Sequence, residues 1–212
     1  MAFERERADK IIKYGKYVIS DAEMPQAKTL TETELEILLD QVERTRHAAR
    51  NRIAVLMGHW AGMRIGEIAA LRIGDVVDDR GEVRSEIRLK PHQTKGSRHR
   101  SVFLPARLVK EIRHYLDGYR VQDREAPFIP SQKSMEGFTA NSLTIQVKML
   151  YRQAGIRGGS SHSGRRSFLT NLAAKGVTVR VLQELAGHRS LQTTQRYIEV
   201  NDHLKRRAVE LI

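Results

Sequence analysis

The sequence predicts an α+β fold that is mostly α-helical and carries one small antiparallel sheet of about three strands. Apolar residues recur at helical spacing through most of the chain, whereas residues 83–104 contain short apolar runs separated by turn formers. A chain of 212 residues is long enough to bury a core, and it contains no cysteine, which excludes disulfide cross-links. We therefore expect a helical domain with a sheet inserted after its third helix.

The first predicted helix begins at Thr31, which forms a capping-box pair with Glu34 ahead of an apolar stripe. Residues 1–28 are mixed in charge, and Met24-Pro25 would break a helix, so we expect a short N-terminal arm there. A basic helix is predicted near the C-terminus, at about residues 201–211. Between these ends, helices are predicted at about residues 50–61, 65–71, 105–119, 140–154, 162–175, 178–186 and 191–198.

The predicted sheet lies between the third and fourth helices. A turn of two aspartates, an arginine and a glycine precedes a strand that contains Val83, Ile87 and Leu89. A second turn, Lys95-Gly96-Ser97, leads to a return strand at residues 101–104. Lys95 is therefore expected at the tip of a hairpin.

The charge distribution indicates a polyanionic partner. The formal net charge is +12, and it is one-sided: residues 1–83 hold 13 Lys/Arg and 15 Asp/Glu, whereas residues 84–212 hold 24 and 10. Such a positive field favours binding to nucleic acid. Charge alone does not separate a DNA-acting enzyme from a basic RNA-binding protein.

The sequence gives no sign of a membrane protein. Its apolar runs are far shorter than the ~20 residues of a membrane-spanning helix. The first ten residues are charged and no apolar segment follows them, unlike a signal peptide. We expect a cytoplasmic, nucleoid-associated protein without membrane partners.

Four short motifs stand out. They are Gly-Met-Arg-Ile-Gly-Glu at 62–67, Thr-Lys-Gly at 94–96, His-Ser-Gly-Arg at 162–165, and the segment 187–197, which begins Gly-His and ends at Tyr197. Each is weak alone. In this order and at these distances they closely resemble the catalytic motifs of the tyrosine recombinases, the phage integrase family. The resemblance covers about residues 29–200, and six role-bearing positions match at once.

The resemblance implies a catalytic domain over residues 29–200 and a DNA strand transfer reaction. A tyrosine oxygen attacks a phosphodiester, which gives a 3′-phosphotyrosine link and a free 5′ hydroxyl. A second DNA end reverses the step, so the bond energy is kept and no cofactor is required. Because the transition state carries extra negative charge, permanently protonated and bidentate guanidinium groups are suited to it.

The resemblance also implies the roles of the six matching residues. Tyr197 is the nucleophile, and the other five tyrosines lack its Gly-His and Thr-Thr context. Arg64 and Arg165 hold the phosphate. His162 exchanges a proton with the tyrosine, and His188 bonds the scissile phosphate. Lys95 protonates the leaving 5′ oxygen.

Several neighbouring residues leave alternatives open. Glu67 lies three residues after Arg64 and within reach to hold it, although an acid at this place is also common at a helix start. Ser163-Gly164 departs from the bulkier residues that the family has there, so Arg166 competes with Arg165. Lys90 is the alternative to Lys95. The remaining basic residues predicted to bind DNA, beside Lys90 and Arg166, are Arg98 and Arg100.

Other cofactors and partners follow from the same motifs. The eight histidines do not show metal-binding spacing, and no phosphate-cradling glycine loop is present, so we expect neither a metal nor a nucleotide. The expected partners are double-stranded DNA, three further copies of the chain in a tetramer on DNA, and accessory DNA-bending proteins. In the family, the segment after the tyrosine often docks on a neighbouring protomer, which is what we expect of residues 201–212.

The 28 residues before the catalytic domain are too few for the helical clamp domain that most members carry, so we expect either one of the family's small single-domain members or the catalytic part of a longer protein. The sequence does not separate inversion, excision and integration. A catalytically inactive DNA-binding regulator of the same fold is the main alternative function, and a topoisomerase-like relaxing enzyme is another. The complete set of six positions favours the recombinase.

Overall fold

A computed structural model confirms a mostly helical α+β fold. It describes residues 27–94, 96–117, 123–132 and 136–197, positions 206, 209 and 210, and the backbone of 12–14 and 17–19. The helices are α1 (Glu32–Glu43), α2 (Ala48–Ala61), α3 (Ile65–Ala69), α4 (Ile73–Val76), α5 (Ala106–Asp117), α6 (Ala140–Gln153), α7 (Ser163–Ala174), α8 (Val179–Ala186) and α9 (Leu191–Gln195). The strands are β1 (Ile12–Tyr14), β2 (Tyr17–Ile19), β3 (Glu86–Leu89) and β4 (Arg100–Phe103).

The sheet has two strands in the described part of the chain, where about three were expected. β3 and β4 pair antiparallel, with Ile87 opposite Val102. Val83 forms only an isolated bridge with Val77, because Asp78 closes the chain into a tight turn by accepting two backbone hydrogen bonds of 2.9 Å from residues 80 and 82. A separate hairpin, β1 with β2, lies within residues 1–28, for which no strand was predicted.

Two apolar cores organise the described residues, and α7 connects them. The larger core gathers buried side chains of α1, α2, α5, α6 and the β3–β4 hairpin, such as Leu38, Leu56 and Leu108. A smaller core forms around Leu169 and Leu182, at the contact of α7 with α8. The first half of α7 packs against α2 of the larger core, so the groups between the two cores are held from both sides.

The contact between α2 and α7 is close because α7 carries a glycine, Gly164, where it meets α2. A Cβ atom on Gly164 would lie 2.9 Å from Cδ2 of His59 and 3.0 Å from the carbonyl carbon of Gly58. This packing explains the Ser163-Gly164 departure noted in the sequence, since a bulkier residue at 164 would push α7 away from α2.

We expect Gly164→Ala to destabilise the protein by about 1–3 kcal/mol, since an added methyl in a tight contact forces the backbone to shift. Chemical denaturation measures the change. Gly58→Ala is the matched control: its Cβ would lie 3.7 Å from Cα of Gly164, an ordinary contact. Equal stability of the two variants would contradict the close-packing explanation.

His59, which lies at the contact of α2 with α7, forms a buried pair with Tyr151. His59 Nε2 lies 2.8 Å from the Tyr151 hydroxyl. Burial lowers the pKa of His59 to about 4, and burial also raises the pKa of Tyr151. Both groups are therefore neutral in the folded protein at neutral pH.

This burial predicts a loss of stability in mild acid. The unfolded chain protonates His59 near pH 6.5, but the folded chain does so only near pH 4. The free energy of unfolding should therefore have its highest value above pH 6.5. It should fall by up to about 3 kcal/mol as the pH is lowered towards 4. His59→Gln does not titrate and should flatten this fall, which denaturation at several pH values would measure. An unchanged pH profile would contradict the assignment; His188, whose pKa is also lowered, is present in both proteins and does not affect the comparison.

Most predicted helices are found within a few residues of their expected bounds. The helix expected at 191–198 ends at Gln195, so Tyr197 follows α9 instead of lying on it. The helix expected at about 201–211 lies mostly outside the described residues. Within the described part of the chain, no helix has the length and apolar character that crossing a membrane requires.

Candidate active site

Arg64 stands at the junction of α2 and α3. Gly62 ends α2 with a left-handed φ of +62°, and a Cβ there would collide with the Phe168 ring, so glycine is required. The turn places Arg64 at the start of α3 with its side chain 25% exposed. Its Nη1 donates to Glu67 at 2.8 Å, and its Nη2 makes a longer contact of 3.3 Å with the carbonyl of Gly187.

Glu67 is a buried carboxylate shared by two arginines. It accepts from the Arg64 guanidinium through Oε1, and from the Arg64 backbone N–H (2.9 Å) and Arg100 Nη1 through Oε2. Burial alone would raise the pKa of Glu67, but the charges of Arg100 and Arg64 and the Arg64 backbone bond lower it below its ordinary value. Glu67 is thus ionised, and it holds Arg64 as the sequence predicts.

Arg165 is buried between the two cores, with 4% of its surface exposed. Its Nη1 donates to the carbonyl of Gly62 at 2.6 Å, and its Nη2 donates to the carbonyl of Ala186. Burial and the positive charges of Arg64 and Arg100 lower the pKa of Arg165 to about 9, so it is still protonated at neutral pH. Arg165 therefore connects the ends of α2 and α8 and brings a fixed charge beside Arg64.

His188 follows the glycine that ends α8 and contacts Arg165. Its Nε2 lies 3.0 Å from Arg165 Nη2, and its Nδ1 lies 3.0 Å from the Thr194 hydroxyl. Because a guanidinium only donates, Nε2 accepts and Nδ1 carries the proton. Burial, with the charges of Arg165, Arg64 and Arg100, lowers the pKa of His188 to about 4, so the ring is neutral at neutral pH.

Tyr197 lies against this cluster. Its ring stacks on His188, with the centroids 5.6 Å apart and the planes at 19°, and it packs on the smaller core. Both backbone polar groups of Tyr197 are hydrogen-bonded. Its N–H donates to the carbonyl of Thr194, and its carbonyl accepts from the Thr170 hydroxyl. Tyr197 and Arg165 thus contact the same imidazole ring, that of His188.

The structure does not bring all six predicted residues together. Lys95 lies outside the described residues; its neighbours Thr94 and Gly96 line a cleft beside Arg64. Gly96 is held there by Arg189, whose Nη2 donates to the Gly96 carbonyl at 3.1 Å. His162 is at the start of α7, one turn before Arg165, and its side chain is exposed.

The cleft lies between the β3–β4 hairpin and the α8–α9 segment and encloses about 940 Å³. Its lining is strongly basic and contains one acid, Glu184. Double-stranded nucleic acid carries a dense row of phosphates, which such a lining attracts. The arginines that line it are Arg64, Arg98, Arg100, Arg180 and Arg189.

The four residues predicted to bind DNA occupy different places. Arg98 is exposed in the cleft, and Arg166 is half-buried on α7. Lys90 is exposed and lies 3.6 Å from Asp75. Arg100 also lines the cleft, but its side chain is only 7% exposed and pairs with Glu67.

Sequence reasoning missed three contacts of the site: the pairing of Arg100 with Glu67, the bond between Thr194 and His188, and the hold of Arg189 on Gly96. Thr194 and Arg189 do lie inside the motif at 187–197, but their side-chain partners are distant in sequence or depend on the fold. In the described part of the chain, no group of three or more His, Cys, Asp or Glu side chains is placed to hold a metal ion.

Comparison with known proteins agrees with this arrangement. The family model described as the phage integrase family matches residues 28–203. The chain belongs to this family.

Individual relatives are tyrosine recombinases. The tyrosine recombinase XerA of Pyrococcus furiosus is 33% identical over 184 residues, which are 86% of this chain and 61% of the relative. A crystal structure of XerA recombinase superposes with a TM-score of 0.70 at 27% identity, covering 89% of this chain and 65% of that one. The site-specific recombinase XerH, bound to its difH substrate before cleavage, superposes with a TM-score of 0.61 at 27% identity, covering 85% of this chain and 53% of that one.

Proposed function

We propose that this chain is the catalytic domain of a site-specific DNA recombinase that cleaves and rejoins DNA through a 3′-phosphotyrosine intermediate. The observation that carries the proposal is the position of Tyr197, which stacks on His188, whose Nε2 in turn lies 3.0 Å from the buried guanidinium of Arg165. Three separate segments of the chain contribute to this cluster, which joins a nucleophile to fixed positive charge. An inactive DNA-binding regulator would not need that combination.

The geometry supports a direct transfer. The Tyr197 oxygen attacks phosphorus and forms the phosphotyrosine bond while the bond to the 5′ oxygen breaks. The phenol proton passes to His162, and Lys95 supplies a proton to the leaving 5′ oxygen. Arg64 and Arg165 stabilise the charge that builds on the phosphate oxygens. Attack by a 5′ hydroxyl of another strand reverses these steps and restores both groups.

His188 acts in this scheme as a neutral group. Its stacked ring orients Tyr197, and its bond to Thr194 fixes the ring plane. Because Nε2 accepts from Arg165, a hydrogen bond from His188 to the scissile phosphate requires that contact to open when DNA enters. The structure of XerH with its DNA substrate supports duplex DNA as the partner of this chain as well.

The wider assembly belongs to the same proposal. Strand exchange between two duplexes uses four active sites, so we expect a tetramer on DNA, with residues 201–212 docking on a neighbouring protomer and accessory DNA-bending proteins assisting. Residues 1–28 are proposed as a short arm before the catalytic domain at 29–200. A protein with these partners would be cytoplasmic and associated with the nucleoid.

Covalent capture tests the proposal without knowledge of the target site. The protein is incubated with a pool of duplexes that carry a randomised core and a nick, and denaturant-resistant protein–DNA complexes are isolated and sequenced. We expect the captured DNA to converge on one site and to be attached through Tyr197. Tight binding without any covalent complex would instead indicate a DNA-binding regulator.

We expect cleavage of the captured site to continue in EDTA and without any nucleotide. Protein groups already supply the nucleophile, the proton transfers and the neutralisation of charge, and the transferred bond keeps its energy. The rate of covalent complex formation with and without the chelator is the measurement. An absolute requirement for a divalent cation would contradict the proposed chemistry.

A further inference from the structure

We propose that Arg100 is a positioning residue that serves as the counter-ion of Glu67 and thereby leaves the charge of Arg64 available to the DNA phosphate. This inference rests on the proposed function. Its basis is a chain of three charged side chains, Arg64, Glu67 and Arg100, in which the acid lies between the two bases.

The three groups differ in exposure, which indicates different roles. Both arginines line the cleft, but the Arg64 side chain is 25% exposed and that of Arg100 only 7%; Glu67 does not line the cleft and is 1% exposed. Arg100 is also fixed at its other end, because Nη2 donates to the carbonyl of Leu185 at 2.6 Å. Arg100 is thus immobilised by Glu67 and the Leu185 carbonyl, and Arg64 is the more exposed of the two arginines in the cleft.

The balance of charge among Arg64, Glu67 and Arg100 explains how Arg100 can affect the substrate. If Glu67 faced Arg64 alone, the pair would be neutral, and the attraction of Arg64 for a phosphate would be largely cancelled. With Arg100 present, two guanidinium groups share one carboxylate and a net charge of one remains at the cleft. The direction of the pKa shift of Glu67 agrees, since the charge of Arg100 is the largest single cause that lowers it.

Arg100 could instead contact DNA directly. Its buried Nε–H has no hydrogen-bond partner among the described residues, and a substrate oxygen could supply one. The two explanations differ in the part that Glu67 plays: the counter-ion role ends when the Glu67 charge is removed, whereas a direct contact is independent of that charge.

The test is single-turnover cleavage of the captured site by Arg100→Gln, Glu67→Gln and the double variant, with DNA binding measured in parallel. We expect Arg100→Gln to cleave at least roughly tenfold more slowly, by loss of transition-state stabilisation, with binding nearly unchanged. Adding Glu67→Gln should recover much of that loss, because the unbalanced carboxylate is gone while its amide oxygen still accepts from Arg64. Arg100→Lys, which keeps the charge, should cleave close to the native rate.

The outcomes are separable. Native cleavage by Arg100→Gln, or a double variant as slow as Arg100→Gln alone, would overturn the counter-ion role. If Arg100→Gln does not fold, the double variant becomes the test of the counter-ion role, because it lacks the unbalanced buried charge. Cleavage by the double variant at a rate comparable to that of Glu67→Gln supports the role. A double variant that is folded but inactive overturns it. A wild-type protein that forms no covalent complex would overturn the proposed function itself, and this inference with it.

Discussion

Replacing Tyr197 by phenylalanine is expected to abolish covalent attachment to DNA and to leave duplex binding nearly intact. The substitution removes only the hydroxyl, which is the proposed nucleophile. The ring remains, so its stacking on His188 and its packing on the smaller core are kept. Denaturing gels of the protein with the captured site measure attachment, and gel shifts measure binding.

Tyr115→Phe is the matched control for this prediction. Tyr115 is buried in the larger core, and its hydroxyl donates to the carbonyl of Phe128 at 2.8 Å. Losing that hydroxyl should cost stability of about 1 kcal/mol or more but leave attachment in place. If Tyr197→Phe attaches to DNA as the wild type does, another residue is the nucleophile and the proposed site is wrong.

The parts of the fold that local sequence determines were predicted well. The capping box at Thr31 is present, with Glu34 N–H donating to the Thr31 hydroxyl at 3.1 Å. Helix α4 was missed because it is a single turn, too short to show periodicity. Two backbone hydrogen bonds to distant residues hold it: Ile73 N–H donates to the carbonyl of Ala126, and Gly74 N–H donates to the carbonyl of Arg124. Such contacts cannot be predicted from a local sequence pattern.

In the site as well, the features that depend on local sequence were predicted and those that depend on distant contacts were not. The four motifs predict which segments meet, and Arg64, Glu67, Arg165, His188 and Tyr197 do lie in one cluster. Sequence could not show which arginines face the substrate, because exposure depends on neighbours from other segments. Arg100 was therefore predicted as a DNA contact, although the fold encloses it between Glu67 and the end of α8. The catalytic roles of all six residues stay predictions.

Arg165 also explains why the site needs both cores. Its carbonyl partners, Gly62 and Ala186, end helices that belong to different cores. One guanidinium thus fixes the distance between the segment that carries Arg64 and the segment that carries Tyr197. The cost of burying this charge is offset only in part by its hydrogen bonds and by the ionised Glu67, since the pKa of Arg165 is lowered, and substrate phosphate would add a further counter-charge.

Replacing Arg165 by alanine is accordingly expected to reduce cleavage far more than DNA binding. Loss of one preorganised donor to transition-state charge costs roughly 3–4 kcal/mol, or about a hundredfold to a thousandfold in rate. Arg165→Lys should not restore cleavage, because one ammonium group cannot bond Gly62, Ala186 and a phosphate in the planar geometry of a guanidinium. Single-turnover cleavage at saturating protein measures the chemical step apart from affinity.

Arg166→Ala is the matched control, since it removes the adjacent arginine of the same helix and tests the alternative that the sequence left open. We expect it to weaken binding but to cleave at a near-native rate once the DNA is saturated. Arg165→Ala also leaves two carbonyls without their donor, at a cost of about 1–3 kcal/mol each, so thermal unfolding must show that the variant is folded at the assay temperature. If folded Arg165→Ala cleaves normally while Arg166→Ala does not, the two arginines exchange roles, and the phosphate must bind on the other side of α7.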